Sequence, residues 1–194
     1  MDTELFERVR SRVQASVSEK RYAHSMRTAK MAEEMCLRYG VDAEKGLFAG
    51  MAHDLCKDCS DEALFSLAAK DGCVISDLEK RIPALLHGRA AAVVLHESFG
   101  VQDADILQAI AQHTLGDANL CALAKIIFAA DKIEPGRSQS TDEYRKRLLS
   151  LSLDEMTLSV VQENIDFLTS RGKQVAAASL AFRDSLLAAI TVQR

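Results

Sequence analysis

Four histidines and two aspartates stand where the surrounding pattern is apolar. His53 and Asp54 follow a largely apolar stretch at 47–52, and Asp131 ends the run at 126–130. An imidazole or a carboxylate on an apolar face is costly unless it is paired or bound to a metal. Neutral imidazole and carboxylate are ligands that divalent zinc, iron and manganese accept. Taken together, these residues predict a metal site: His24, His53, Asp54, His87, His113 and Asp131.

The elements that must position these residues are predicted to be helices. Apolar residues recur at helical spacing almost everywhere, as in Leu5, Val9 and Val13, and no segment alternates convincingly with period two. We therefore expect an all-α fold. Helices are predicted to begin after the capping residues Ser18, Asp42, Ser60, Ser76, Asp103 and Ser152.

Helix ends are predicted from glycine, proline and the end of apolar periodicity. The helix after Ser18 should end at Gly40, and the helix after Asp42 should run to about Lys57. Gly88 is expected to interrupt the helix that Pro83 begins. A further helix should run from about Asn119 to Ile133. The Pro/Gly/Ser-rich stretch at 135–141 should be a loop between the metal-bearing core, about 18–137, and a C-terminal helical pair.

Composition excludes several classes of protein. The chain has 194 residues with 9 Gly and 2 Pro, too few turn formers for a β-sandwich or barrel. A net charge of −4 argues against sequence-independent nucleic-acid binding. No apolar run approaches the length that spans a bilayer, and Met1 to Arg12 lacks a signal-peptide core. We expect a cytoplasmic protein with no membrane or nucleic-acid partner.

Cysteine spacing offers one competing metal site. Cys56 and Cys59 form a C-x-x-C pair, but a structural zinc site normally needs a second pair, which the sequence lacks. We therefore expect reduced thiols buried on a helix.

Five short segments carry a resemblance to a known family. They are KRYAH at 20–24, GMAHDLCKD at 50–58, LLHG at 85–88, HTLG at 113–116 and IIFAADKIEPGR at 126–137. The order of His24, His53-Asp54 and Asp131 resembles the HD-domain superfamily of metal-dependent phosphohydrolases. The local segments resemble its YqeK-like family, the bacterial symmetrical diadenosine tetraphosphate hydrolases. The resemblance implies an HD-domain helical bundle and a single domain over 1–194.

The resemblance also implies a two-metal site. His24, His53, Asp54 and Asp131 would hold one ion, and His87 and His113 would hold the other with Asp54 bridging. The family's metal is usually iron; manganese and zinc accept the same ligands. The implied reaction is symmetrical hydrolysis of diadenosine tetraphosphate to two ADP. Our hypothesis is that a metal-bridging hydroxide attacks phosphorus in line.

Roles for other residues follow from the same resemblance. Catalytic roles fall on Asp54 and Lys57, and to these we add Asp58 as a proton acceptor or an orienting group. The chain departs from the family pattern at Leu115 and over 174–179. Nucleotide and phosphate contacts fall on Arg21, Asp54, Leu55, Cys56, Lys57, Thr114, Arg137, Gln174, Val175 and Ser179.

Two other functions remain open at this point. One is another HD phosphohydrolase acting on a nucleoside mono- or triphosphate or a cyclic nucleotide. The other is a regulatory module that binds a nucleotide through the metals without turnover. A homodimer is the default assembly.

Overall fold

The computed structural model describes residues 2–192, and this part of the chain is helical without a strand. The all-α prediction is confirmed. The α-helices are α1 Thr3–Ser16, α2 Glu19–Tyr39, α3 Ala43–Ala52, α4 Asp61–Ala68, α5 Asp77–Arg81, α6 His87–Phe99, α7 Ala104–Gln112, α8 Ala122–Ile133, α9 Asp142–Leu149, α10 Leu153–Ser170 and α11 Ala177–Val192. Short 3₁₀ turns lie at Ala69–Asp71 and Pro83–Leu86.

The predicted capping residues begin their helices. Ser18 accepts a hydrogen bond from the Arg21 backbone N–H at the start of α2. Ser76 and Ser152 each form a reciprocal capping box with the glutamate three residues later. Each such cap contributes about 1 kcal/mol to helix stability. The capping signals therefore locate most helix starts.

Two predicted helix limits were wrong. Helix α3 ends at Ala52 rather than Lys57, because the chain turns tightly there; the N–H of Leu55 donates to the Ala52 carbonyl, three residues back. Helix α8 begins at Ala122 rather than Asn119, because Asn119 has φ of 62° and Cys121 is the N-cap. Both corrections shorten a helix beside the candidate site.

Glycines allow the helices that carry histidines to approach closely. Gly88 does not interrupt α6; a Cβ there would lie 2.7 Å from the Ile110 carbonyl oxygen and 3.0 Å from the His113 ring. A Cβ at Gly50 would lie 2.7 Å from Cα of Ala29 in α2. Side chains at these positions would separate α6 from α7 and α3 from α2.

The core lies among α2, α3, α6, α7 and α8, and the C-terminal pair packs against it. Phe48, Phe128 and Met51 are fully buried. The pair is α10 and α11, and Phe182 of α11 meets Phe128 edge to face with ring centroids 5.1 Å apart. In the described part of the chain, no helix is both long and apolar enough to cross a membrane.

The C-x-x-C pair does not lie on a helix. Cys56 is buried and Cys59 is half-buried in the turn that follows α3. All five cysteines are free thiols. The structure thus agrees with the reduced state and corrects the expected location.

Candidate metal centre

Six predicted residues come together from five helices and the turns beside them. His24 lies in α2 and Asp131 near the end of α8, whereas the other four lie at helix ends or in the adjoining turn. His53 is the C-cap of α3 and Asp54 follows it; His87 begins α6 and His113 is the C-cap of α7. The four histidines and Asp54 are at most 6% exposed.

The Asp54 carboxylate lies between two pairs of imidazoles. Its Oδ2 is 3.5 Å from Nε2 of His53 and 3.8 Å from Nε2 of His24. Its Oδ1 is 3.0 Å from Nε2 of His87 and 3.7 Å from Nε2 of His113. The two oxygens therefore face two separate groups of nitrogen donors.

Asp131 completes the first of these groups. Its Oδ1 lies 3.0 Å from Nε2 of His24 and 3.7 Å from Nε2 of His53. In the second group, the Nε2 atoms of His87 and His113 are 2.9 Å apart. His24, His53 and Asp131, and separately His53, Asp54 and His113, bring one donor atom each close enough to share an ion.

The other ring nitrogen of each histidine faces an oxygen acceptor. Nδ1 of His53 lies 2.7 Å from the Gly50 carbonyl oxygen, and Nδ1 of His113 lies 2.7 Å from that of Ile110. Nδ1 of His87 lies 2.6 Å from the carbonyl oxygen of Ala84. Because a carbonyl can only accept, each Nδ1 carries the proton. The Nε2 lone pairs then point into the cluster, as metal ligation requires.

The donor set fits divalent ions. The buried Nε2 of His53 has no hydrogen-bond partner among the described residues. Leaving a buried polar atom unsatisfied costs about 1–3 kcal/mol. Four imidazole nitrogens and two carboxylates match zinc, iron and manganese, and an ion would give Nε2 of His53 its missing partner.

The pKa shifts of Asp54 and His113 agree with this arrangement, whereas the Asp54 and Asp131 carboxylates outweigh burial and raise the pKa of His53. Burial alone would raise the pKa of Asp54, but the imidazoles of His53, His113 and His87 outweigh it and hold the pKa well below its usual range. Burial lowers the pKa of His113 to about 3. Near neutral pH, Asp54 is therefore ionised and His113 is neutral.

Cationic side chains surround the cluster. Arg21 donates to Oδ2 of Asp54 over 2.9 Å, and Nε of Arg137 donates to the Asp131 carbonyl oxygen over 2.8 Å. Nζ of Lys57 lies 3.3 Å from Nε2 of His87. These groups supply positive charge where an anionic ligand would meet the cluster.

Two residues with evident roles were missed by sequence reasoning. Glu134 is buried; its Oε1 lies 3.0 Å from Nδ1 of His24, and its Oε2 accepts from Nε of Arg27 over 2.6 Å. Nζ of Lys132 donates to the His113 carbonyl oxygen over 3.0 Å and lies 3.5 Å from Oδ2 of Asp131. The sequence did contain one signal for Glu134. It lies three residues after Asp131, a spacing that places two residues on the same face of a helix.

A cavity of about 660 Å³ opens onto the cluster. It is lined by seven of the residues predicted to have catalytic or nucleotide roles: Arg21, Asp54, Lys57, Thr114, Arg137, Gln174 and Ser179. We name it the metal cavity. Thr114 Oγ1 lies 3.3 Å from Nε2 of both His87 and His113, and Ser179 Oγ donates to the Leu115 carbonyl oxygen over 2.7 Å.

The structure does not bring four of the predicted residues to this cavity. Leu55 and Cys56 are buried in the core, and Val175 packs partly against it. Asp58 is exposed, and its Oδ2 accepts the Ser18 N–H over 2.9 Å at the start of α2. The carboxylate of Asp58 is thus directed to a helix start, because the chain turns after Asp54 instead of continuing α3.

Comparison with known proteins defines the class of protein. The HD-domain family model matches residues 21–136, within the predicted metal-bearing core. The chain belongs to the HD-domain family. The family expected from the sequence motifs is confirmed.

The chain is also similar to individual proteins within this family. The chain is 32% identical over 164 residues to "Bis(5'-nucleosyl)-tetraphosphatase, symmetrical" of Bacillus subtilis, covering 84% of this chain and 87% of that protein. It is 30% identical over 167 residues to the Staphylococcus aureus protein of the same name, covering 85% and 86%. The chain also superposes on a solved structure from Clostridium acetobutylicum, described as a predicted HD superfamily hydrolase involved in NAD metabolism. The TM-score is 0.87 at 29% sequence identity, and the match covers 94% of this chain and 97% of that one.

Proposed function

We propose that this protein hydrolyses diadenosine tetraphosphate symmetrically to two ADP, using two divalent ions. The observation that carries the proposal is the position of Asp54, whose two carboxylate oxygens face two different pairs of imidazoles. The names of the bacterial relatives supply the substrate and the symmetry of cleavage.

The ligand sets are those that the resemblance implies, and the short distances within each set support them. His24, His53, Asp54 and Asp131 would hold one ion, and His87 and His113 would hold the second, with Asp54 common to both. When bound, two divalent ions lower the pKa of water and neutralise charge on a phosphoryl group. Iron is our expected metal, and manganese or zinc suits the same donors.

The cationic side chains would bind and orient the phosphate chain. Arg137 offers a planar guanidinium suited to two phosphate oxygens, and Lys57 and Lys132 offer point charges. Lys57, Lys132 and Arg137 all line the metal cavity. Burial lowers the pKa of both lysines. The charge of Asp54 opposes this shift at Lys57, and the charge of Asp131 opposes it at Lys132.

Thr114, Gln174 and Ser179 are proposed as further contacts to the nucleotide, because they line the same cavity. No proton-transfer role is proposed for Asp58, whose carboxylate is bonded at the start of α2. The cytoplasmic location and the homodimer remain predictions from the sequence.

Product analysis tests the proposed function. Purified protein loaded separately with iron, manganese or zinc is incubated with diadenosine tetraphosphate, and metal content and products are measured on the same sample. We expect ADP alone, two per substrate, with no AMP or ATP. Release of AMP and ATP would contradict symmetrical cleavage. Tight binding without turnover by every metal form would identify a regulatory module instead.

A further inference from the structure

A second cavity, of about 800 Å³, adjoins the metal cavity. We name it the adjoining cavity. Four residues line both spaces: Leu78, Leu115, Gln174 and Ala176. The two cavities therefore lie side by side along this shared wall.

The two cavities differ in charge. Cationic side chains line the metal cavity: Arg21, Lys57, Lys132, Arg137 and Lys173. Carboxylates dominate the adjoining cavity: Asp71, Asp77, Glu79, Glu97 and Asp117. Because like charges repel, a polyphosphate is favoured in the metal cavity and disfavoured in the adjoining one.

The cations that line the adjoining cavity are already paired with its carboxylates. Arg89 donates to Asp71 over 2.6 Å and to Glu79 over 3.2 Å. Lys70 donates to Glu97 over 2.6 Å. Because Lys70 and Arg89 are paired, carboxylates remain in excess in the lining of this cavity. Neither cation is free to bind a phosphate.

The remaining walls suit an uncharged, partly aromatic ligand. Ala92, Val93 and Leu107 supply apolar surface, and Gln112 supplies an amide; the amide oxygen of Gln108 accepts the Cys121 N–H over 2.9 Å. Side-chain amides match the donor and acceptor edge of adenine, and carboxylates accept from ribose hydroxyls. Small-molecule sites of about 300–1,000 Å³ have this combination of apolar walls and a few polar groups.

We propose that the adjoining cavity binds the second nucleoside of a dinucleoside polyphosphate, while the phosphate chain and the first nucleoside lie in the metal cavity. This inference rests on the proposed function for the identity of the ligand. It predicts that the second nucleoside adds affinity, and that the wall at Leu115 and Gln174 lies at the passage between phosphate and nucleoside.

Binding measurements can test the inference without turnover. The ligands are diadenosine tetraphosphate with a methylene group replacing its central bridging oxygen, and adenosine 5'-tetraphosphate, which lacks the second nucleoside. The variants are Ala177→Leu and Ala111→Leu, both in the lining of the adjoining cavity alone. Ala181→Leu, also exposed on α11 but outside both linings, is the matched control.

We expect each lining variant to weaken the dinucleotide analogue about tenfold, equivalent to about 1.4 kcal/mol, and adenosine tetraphosphate less than about twofold. Ala181→Leu should change neither dissociation constant. Equal weakening of both ligands, or weakening of neither, would overturn the inference. Circular dichroism checks that the variants fold.

Wild-type protein gives a second test that needs no variant. The dinucleotide analogue should bind more tightly than adenosine tetraphosphate, and equal affinity would also overturn the inference. If the analogue binds as expected but diadenosine tetraphosphate is not cleaved to ADP, the proposed function fails while the nucleoside site stands.

Discussion

Three histidines of the metal centre are held by carbonyls three residues earlier in the chain, whereas the segment at 172–179 is held by contacts between distant side chains and loops. His53, His87 and His113 share the first arrangement. In the second region, Gln174 is exposed and accepts from Arg81 over 2.6 Å, and Ser179 donates to Leu115. The geometry of these three ligands is thus fixed by local backbone, while the cavity wall depends on side chains that can change independently.

The largest expected effect comes from removing the shared carboxylate. Asp54→Ala takes an oxygen from both proposed ion sites, so we expect loss of bound metal and a fall in kcat of about 10³-fold or more. Elemental analysis and ADP release measure these effects. Asp58→Ala, an exposed aspartate four residues on, is the control and should retain both metal and turnover. Full turnover by Asp54→Ala would contradict the two-ion scheme.

A smaller effect should follow when His24 loses its carboxylate partner, Glu134. Within the metal centre, His24 is the histidine whose Nδ1 faces a carboxylate and not a backbone carbonyl. Glu134→Gln replaces the charged acceptor opposite Nδ1 of His24 and weakens the orientation of that ring. We expect metal affinity to fall about 10–100-fold, measured by competition with a chelator. Glu143→Gln, on the exposed surface of α9, is the control. Unchanged affinity would show that α2 alone orients His24.

Next in size is the phosphate contact proposed for Arg137. Arg137→Ala should raise KM for diadenosine tetraphosphate about tenfold and change kcat less, because the guanidinium binds substrate before and during reaction. Arg147→Ala on α9 is the matched surface control. Since Arg137 also bonds Asp131, metal content must be measured in the same preparations. An unchanged KM would remove Arg137 from the phosphate site.

The smallest effect should come from a change at Gln174, an exposed residue in the wall shared by the two cavities. Gln174→Ala removes one polar contact, and we expect KM to rise only about two- to fivefold with metal content unchanged. Gln162→Ala on α10 serves as the control. A loss of metal in Gln174→Ala would contradict the independence of the wall from the metal centre.

The part of the site that could be predicted is the part that violates local pattern. His53, Asp54 and Asp131 interrupt apolar runs, so their unusual positions are visible without knowledge of neighbours. Capping residues such as Ser76 and Ser152 are equally local, which is why most helix starts were predicted correctly. The signal for each of these residues comes from neighbours within one or two helical turns along the chain.

The part that could not be predicted depends on distant pairing. Glu134 meets His24 across 110 positions of sequence, and no spacing rule relates them. Asp58 was expected at the site as a proton acceptor or an orienting group, and the turn at 53–58 directs that side chain to Ser18 instead. The adjoining cavity likewise arises only when the segment at 70–79, α6, α7 and the start of α11 are packed together.

The bonds from His53, His87 and His113 to their own helix ends have a consequence for how the protein acquires its ions. Rings already clamped by backbone carbonyls need not lose rotational freedom when a cation arrives, so little ordering entropy opposes loading. The cage is built by the folding of α3, α6 and α7 rather than by the ion. Stripped protein should therefore keep its helical circular dichroism and take up fresh metal without refolding.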